Sequence, residues 1–222
     1  MSDGSRAIAC SSQTVGPFFH FSLATNPALG SLIADDVPGE RIRLRVRVLD
    51  GDGIPVPDAL IEIYQADASG RYAQPPFTGF GRLPTNEDGF CVFETIRPGA
   101  PQGQAPHINV CLLSRGLLRQ LYTRIYFSGD AGQDSDAVLA LVPAERRQTL
   151  MAVPGPDADA AAVFSTAAAA RSEDRAPQQP ADRAPAALEQ PSPQSPVPSP
   201  DPSLWDFVIR LQGDDETVFL DL

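Results

Sequence analysis

Residues 41–50, RIRLRVRVLD, decide the fold class. Ile42, Leu44, Val46 and Val48 alternate with Arg41, Arg43, Arg45 and Arg47, the two-residue period of a strand with one buried and one polar face. A helix would rotate successive members of the apolar set by about 200° and could not gather them on one side. Working outward, Asp50-Gly51-Asp52-Gly53 turns the chain, Pro55 and Pro57 stiffen the return, and Ala59–Gln65 (ALIEIYQ) reads as the next strand. A further strand, Phe90–Thr95, is entered from an Asp-Gly pair, and Ala105–Phe127 (APHINVCLLSRGLLRQLYTRIYF) holds two more around a short Gly-containing turn. Short strands punctuated by Gly, Pro and Asp predict a mainly β chain folded as an antiparallel sandwich.

Towards the C-terminus, Ser135–Leu141 and Pro143–Met151 carry short helical patterns. Trp205–Leu211 and Thr217–Asp221, joined by Gly213-Asp214-Asp215, predict a hairpin that completes the sandwich. Between residues 152 and 203 the composition shifts to fourteen Ala and eleven Pro with few large apolar side chains, too little apolar surface to offset the entropy of ordering. The layout predicted is an N-terminal tail (1–11), one domain built from 12–151 and 204–222, and a low-complexity Ala/Pro-rich insertion (152–203) within it.

Composition narrows the function. The chain has 222 residues, 42% of them hydrophobic, enough for a core of moderate size. A net charge of −11 argues against nucleic acid and anionic membranes, because phosphate recognition needs a basic field. Cys10, Cys91 and Cys111 have neither metal-site spacing nor an even count, which fits a reducing compartment. With no basic-then-apolar leader and no apolar run of about 18 residues, the chain is expected to be cytoplasmic.

Chemistry is expected around Ala105–Phe127. On a strand, His107 and Asn109 share a face. His-x-His there would be a two-imidazole metal site; Asn109 supplies only a neutral carboxamide, a weak ligand for a ferric centre. A lone strand histidine is most often a buried, hydrogen-bonded core residue, and a ligand is the sharper alternative. The segment SQTVGPFFHFSL, with Thr14, Gly16 and Pro17 in a turn before Phe18 and Phe19, reads as a non-helical arm that either docks by its aromatics or lines a pocket. Two functions stand side by side at this stage. One is a non-catalytic, transthyretin-like β-sandwich binding module, the other an enzyme subunit that would use Thr14, Tyr72, His107, Asn109 and Arg124.

The motifs SQTVGPFFH (12–20), YQADASGRY (64–72), GFGR (79–82), TIRPG (95–99), APHIN (105–109), LYTRIYF (121–127), RRQTL (146–150) and IRLQGDDETVFLDL (209–222) resemble, in this order, the alpha chains of the two-chain, protocatechuate-cleaving branch of the intradiol ring-cleavage dioxygenase family. The resemblance implies a mixed-topology β-sandwich and a hetero-oligomer with a homologous beta subunit that holds a non-haem Fe(III). It also implies that the assembly cleaves protocatechuate with O2 to 3-carboxy-cis,cis-muconate in the beta-ketoadipate pathway of aromatic catabolism. In the family's iron-bearing chains two tyrosines and two histidines ligate the metal. Matched motif by motif, this chain keeps Tyr72 and His107 and has Ala100 and Asn109 at the other two positions, so no metal is expected here and the four mark a vestigial site. Thr14, Gly16 and Pro17 match a turn that approaches the substrate pocket formed with beta. Arg124 matches an arginine near that pocket, where a guanidinium would suit a carboxylate substrate, and is expected to act in catalysis.

Overall fold

The computed structural model describes residues 11, 13–156 and 202–221. Eight strands form its frame: β1 (Arg41–Leu49), β2 (Leu60–Gln65), β3 (Phe80–Pro84), β4 (Phe90–Ile96), β5 (His107–Leu113), β6 (Leu121–Phe127), β7 (Met151–Pro154) and β8 (Ser203–Arg210). Their order across the sheet is β3-β2-β5-β6-β7-β8-β1-β4. Two four-stranded halves, β3-β2-β5-β6 and β7-β8-β1-β4, join through a parallel β6–β7 contact at Tyr126↔Met151 and Phe127↔Ala152. β8 lies parallel to β1, and the other pairs are antiparallel. The mixed-topology, mainly β architecture implied by the resemblance is what forms, while the wholly antiparallel pairing expected from the strand pattern fails at β1–β8 and β6–β7.

The halves fold over one another because each carries an apolar face. Ile42, Leu44, Val46 and Val48 of β1 are fully buried, and they meet Ile61 and Ile63 of β2, Ile108 and Leu112 of β5, Ile125 and Phe127 of β6, and Phe207 and Ile209 of β8. Each such side chain contributes about 1.5–3 kcal/mol by leaving water. A buried polar clamp also crosses the interior: Thr95 Oγ1 donates to Gln65 Oε1 at 2.8 Å, and Gln65 Nε2 donates to the Ile96 carbonyl at 2.9 Å. The outer edges, β3 and β4, are bridged by a 3-10 turn over Pro27–Gly30 whose N-cap Asn26 accepts from the Ala28 amide. The chain then pairs Ser31 with Glu94 on β4. Gly81 of β3 has no side chain because a Cβ would lie 3.0 Å from the Leu29 carbonyl and closer still to Leu32.

Several sequence expectations change. The two helices expected over 135–151 are 3-10 turns at Gln133–Ser135, Leu139–Leu141 and Ala144–Leu150. Asp136 accepts the amides of Val138 and Leu139 on its carboxylate as a helix cap would, but Val142, before Pro143, is extended at φ −90° and ψ 127° and stops the first turn. The expected C-terminal hairpin has only its first strand. Thr217 bonds to Arg210, but Val218 gives its carbonyl to Thr123 and Leu220 pairs with Tyr122, so the chain leaves β8 and covers β6. The arm expected to be non-helical contains one helical turn, His20–Leu23. β3 shows no two-residue period, because Gly81 and Pro84 take two of its five positions. The sheet also reaches into the Ala/Pro-rich stretch: β7 uses residues 152–154, and β8 begins at Ser203. The remainder of the expected insertion, 157–201, lies outside the described residues, as do 1–10 of the tail.

Candidate functional site

The outer face of β2, β5 and β6 collects the polar residues that the sandwich does not need. The register places Tyr64 opposite Asn109 and Asn109 opposite Arg124, one row across three strands. His107 and Tyr126 form the next row. A satellite core of Ala105, Tyr126, Leu139, Val142 and Leu150 closes over that second row and leaves His107 only 1% exposed. Tyr72 comes from the loop after β2 and stacks on Tyr64 with ring centroids 5.2 Å apart.

The hydrogen bonds of this cluster have a direction that can be derived. His107 Nδ1 lies 2.8 Å from the Ala105 carbonyl. A carbonyl only accepts, so Nδ1 carries the proton and Nε2 presents its lone pair. Tyr72 O–H, 3.1 Å away, donates to that lone pair. Asn109 Nδ2 in turn donates to the Tyr72 oxygen at 3.2 Å and to the Tyr64 carbonyl at 3.2 Å. Asn109 Oδ1 accepts from Arg124 Nε at 3.2 Å, and the guanidinium also donates to Gln104 Oε1 at 2.8 Å and to the Tyr126 hydroxyl at 3.4 Å. Tyr126 donates to Asp136 Oδ1 at 3.2 Å. Asp136 accepts as well from the amides of Ala105, Val138 and Leu139.

Protonation follows from these surroundings. Burial, reinforced by the Arg124 charge, lowers the His107 pKa and keeps the imidazole neutral. Burial raises the Tyr72 phenol above its ordinary value, against a hydrogen bond from Asn109 and the Arg124 charge. Burial pushes Tyr126 up to about 12. Burial also opposes the Asp136 carboxylate, but the amides of Leu139, Ala105 and Val138 outweigh it and hold its pKa low. The cluster therefore combines two phenols, Tyr72 and Tyr126, with one neutral imidazole, two carboxamides, one carboxylate and a cation.

The structure brings together Tyr72, His107, Asn109 and Arg124, while Ala100 is placed against Gly70. Gly70, two residues before Tyr72, packs so tightly on the Ala100 carbonyl that any Cβ there would collide with it. The loop leading to Ala100 is fixed by Arg97, whose guanidinium lies 4.1 Å from the Phe127 ring centre and 4.2 Å from that of Trp205 while it pairs with Asp130. Thr14, Gly16 and Pro17 are elsewhere. Thr14 Oγ1 accepts from the Gly116 amide at 3.0 Å, in the β5–β6 turn beyond the end of β5 and not beside Asn109. Within one chain, the arm and Arg124 do not share a pocket. Sequence reasoning missed Gln104 and Asp136 as members of the cluster. Asp136 had a signal, an Asp just before the short apolar run Ala137–Leu141 as at a helix N-cap; Gln104, in an irregular loop, had none.

A ferric ion does not fit this donor set. It would need hard anionic oxygens and several imidazoles, whereas here the one imidazole lone pair is engaged by a phenol proton and a guanidinium is bonded to the neighbouring carboxamide. Among the described residues no group of three or more His, Cys, Asp or Glu side chains could hold a metal ion.

Comparison with known proteins adds to the geometry. The model of the family described as Dioxygenase matches residues 15–168. The chain is 34% identical to the protocatechuate 3,4-dioxygenase alpha chain of Burkholderia cepacia, over 95% of this chain and 96% of that one. It is 37% identical to the beta chain of the same name from that organism, over 51% of this chain and 55% of that one. Among solved structures, the dioxygenase domain of a carbohydrate-binding fusion protein from Streptomyces sp. SirexAA-E superposes with a TM-score of 0.55 at 19% identity, covering 94% of this chain and 98% of that one. That likeness concerns the fold.

Proposed function

This chain belongs to the intradiol ring-cleavage dioxygenase family, and from that premise we propose that it is the iron-free, alpha-type subunit of a protocatechuate 3,4-dioxygenase. Its partner is a homologous beta-type chain that carries the ferric ion, and the assembly opens protocatechuate between its two hydroxyl carbons with O2. One observation carries this reading: the position that must supply a second imidazole is Asn109, and its carboxamide is bonded to Arg124. A family member with this site needs another chain for the metal. Likeness to an alpha chain over nearly the full length, against about half for a beta chain, supports the same assignment.

In this reading Tyr72, Ala100, His107 and Asn109 are vestigial metal-site positions, and Thr14, Gly16 and Pro17 serve the substrate pocket of the partner. Gly16 has φ of +66° and nothing within 4 Å of where a Cβ would stand, so glycine is kept for the turn itself. The exposed arm suits contact with another chain. The expected catalytic part of Arg124 in the partner's pocket has less support, since its guanidinium is spent on Asn109, Gln104 and Tyr126.

The test is to express the chain alone and with its candidate beta partner, then measure iron content and O2 uptake with protocatechuate. The expected result is a colourless, inactive single chain and an active, iron-loaded pair. An active, iron-loaded single chain would overturn the assignment, and a folded chain inactive even with beta would favour a binding module.

A further inference from the structure

We propose that Arg124 is a resident cation that holds the Tyr72–His107–Asn109 cluster closed to metal ions, so that the loss of metal binding is enforced by charge as well as by missing ligands. The inference concerns this chain's own residues and stands whether or not the chain works as an alpha-type subunit.

Three observations carry it. First, the cluster is a closed relay of hydrogen bonds that begins at the guanidinium: Arg124 to Asn109, Asn109 to Tyr72, Tyr72 to His107, His107 to the Ala105 carbonyl. Each atom that could face a metal is used. Second, the register sets Arg124 directly opposite Asn109 on the adjacent strand, and Gln104 and Tyr126 anchor the guanidinium there. Third, no ion pair to Arg124 is present among the described residues. The acid of its own network, Asp136, is reached only through the Tyr126 hydroxyl, and its carboxylate is already satisfied by three amides. The positive charge is therefore expressed towards Asn109, Tyr72 and His107, where an incoming cation would meet it.

Asn109 is suited to this arrangement. A carboxamide accepts from Arg124 with one end and donates to Tyr72 with the other, which a carboxylate cannot do because it has no proton to give. Restoring a ligand at 109 alone would leave the guanidinium facing it, bonded or repelling. The structure thus ties two positions together: a ligand at 109 becomes useful to a metal only when 124 is neutral.

The experiment compares four full-length chains: the native one, Asn109→His, Arg124→Gln, and the double variant. Each is refolded with ferric iron and examined by metal analysis and by the visible charge-transfer band of an iron-bound tyrosinate. The native chain and both single variants are expected to remain colourless. The double variant, which offers Tyr72, His107 and the new imidazole, is expected to take up close to one iron per chain. Iron uptake by Asn109→His equal to that of the double variant would overturn the proposal, as would a double variant that melts cooperatively and takes up none. A nearly isosteric pair protects the test against misfolding: Asn109→Asp, with and without Arg124→Gln, titrated with Co(II). The neutral-124 member is expected to bind roughly ten- to a hundredfold more tightly, the scale on which a neighbouring group tunes metal affinity. Equal Co(II) affinity in the two would refute the role of the charge.

Discussion

The N-terminal arm and the Tyr72–Arg124 cluster make opposite use of polar and apolar groups. In the cluster each polar side chain finds a partner inside the chain, from Arg124 through Asn109, Tyr72 and His107 and through Tyr126 to Asp136. The arm buries Phe19 but leaves Phe18 75% and Phe21 73% exposed, and Thr14 ties it to the hairpin tip by one bond. The cluster is finished within one chain, and the arm presents apolar surface that one chain does not cover. What the family's chemistry needs from this protein is to be sought where it is unfinished.

Breaking the cluster should cost the most stability. Asp136→Ala strips the acceptor from three amides and the Tyr126 hydroxyl, and leaving buried donors unpaired predicts a loss of roughly 3–5 kcal/mol. Denaturant unfolding of the isolated chain measures it, and a loss under about 1 kcal/mol would show that the cluster is not self-sufficient. For the arm the expectation is reversed. Phe18→Ser with Phe21→Ser should leave the stability of the isolated chain within about 0.5 kcal/mol, yet weaken association with the proposed beta-type partner by roughly 2–3 kcal/mol if both rings are buried there. Sedimentation of the mixed chains decides between these outcomes, and a destabilised monomer with unchanged assembly would assign the arm to its own fold.

A smaller effect sharpens the comparison through pH. The folded state holds the His107 pKa below its ordinary 6.5, so as pH falls through 6.5 the unfolded chain takes up a proton that the folded chain refuses. Stability is therefore complete above that value and declines below it until the lowered folded pKa is reached. His107→Gln should flatten this part of the stability–pH curve while leaving the steeper acid loss due to Asp136, whose low folded pKa places its contribution above the ordinary carboxylate range and removes it in stronger acid. An unchanged curve would mean that His107 is protonated as easily folded as unfolded. The smallest change expected is from Tyr72→Phe. It deletes one donor to His107 and one acceptor for Asn109, which keeps the Tyr64 carbonyl, and should cost about 1 kcal/mol.

The strands that set the core were legible because a buried strand face leaves a two-residue period, as in Ile42–Val48 and in His107–Leu113. Two kinds of element were not. β3 and β7 are short, rich in Gly, Pro or Ala, and exist because a neighbouring strand edge pairs with them, which no local pattern records. The residues 135–151 have helical apolar spacing, but Val142 is extended before Pro143 and splits the stretch into short turns. In the site, motif resemblance pointed to Tyr72, His107, Asn109 and Arg124, and the fold does gather them. It could not tell that Arg124 turns inward to Asn109 and Gln104 rather than towards the arm, because a strand period gives the face on which a side chain stands and not its reach.

The parallel pairing of β8 with β1 has a consequence for the making of this protein. Arg45 grips Asp206 with both ends of its guanidinium, at 2.6 and 2.7 Å, across 161 residues of chain. β8 also lies between β1 and β7, so β1 and β4 are tied to the rest of the sheet only through the last of the eight strands in the chain. At about 5–20 residues per second, a ribosome leaves the exposed flank of β1 waiting for roughly 10–30 seconds. During that interval its arginine-studded outer face is the chain's protection against pairing with the wrong strand, a role the same arginines no longer have once Asp206 arrives.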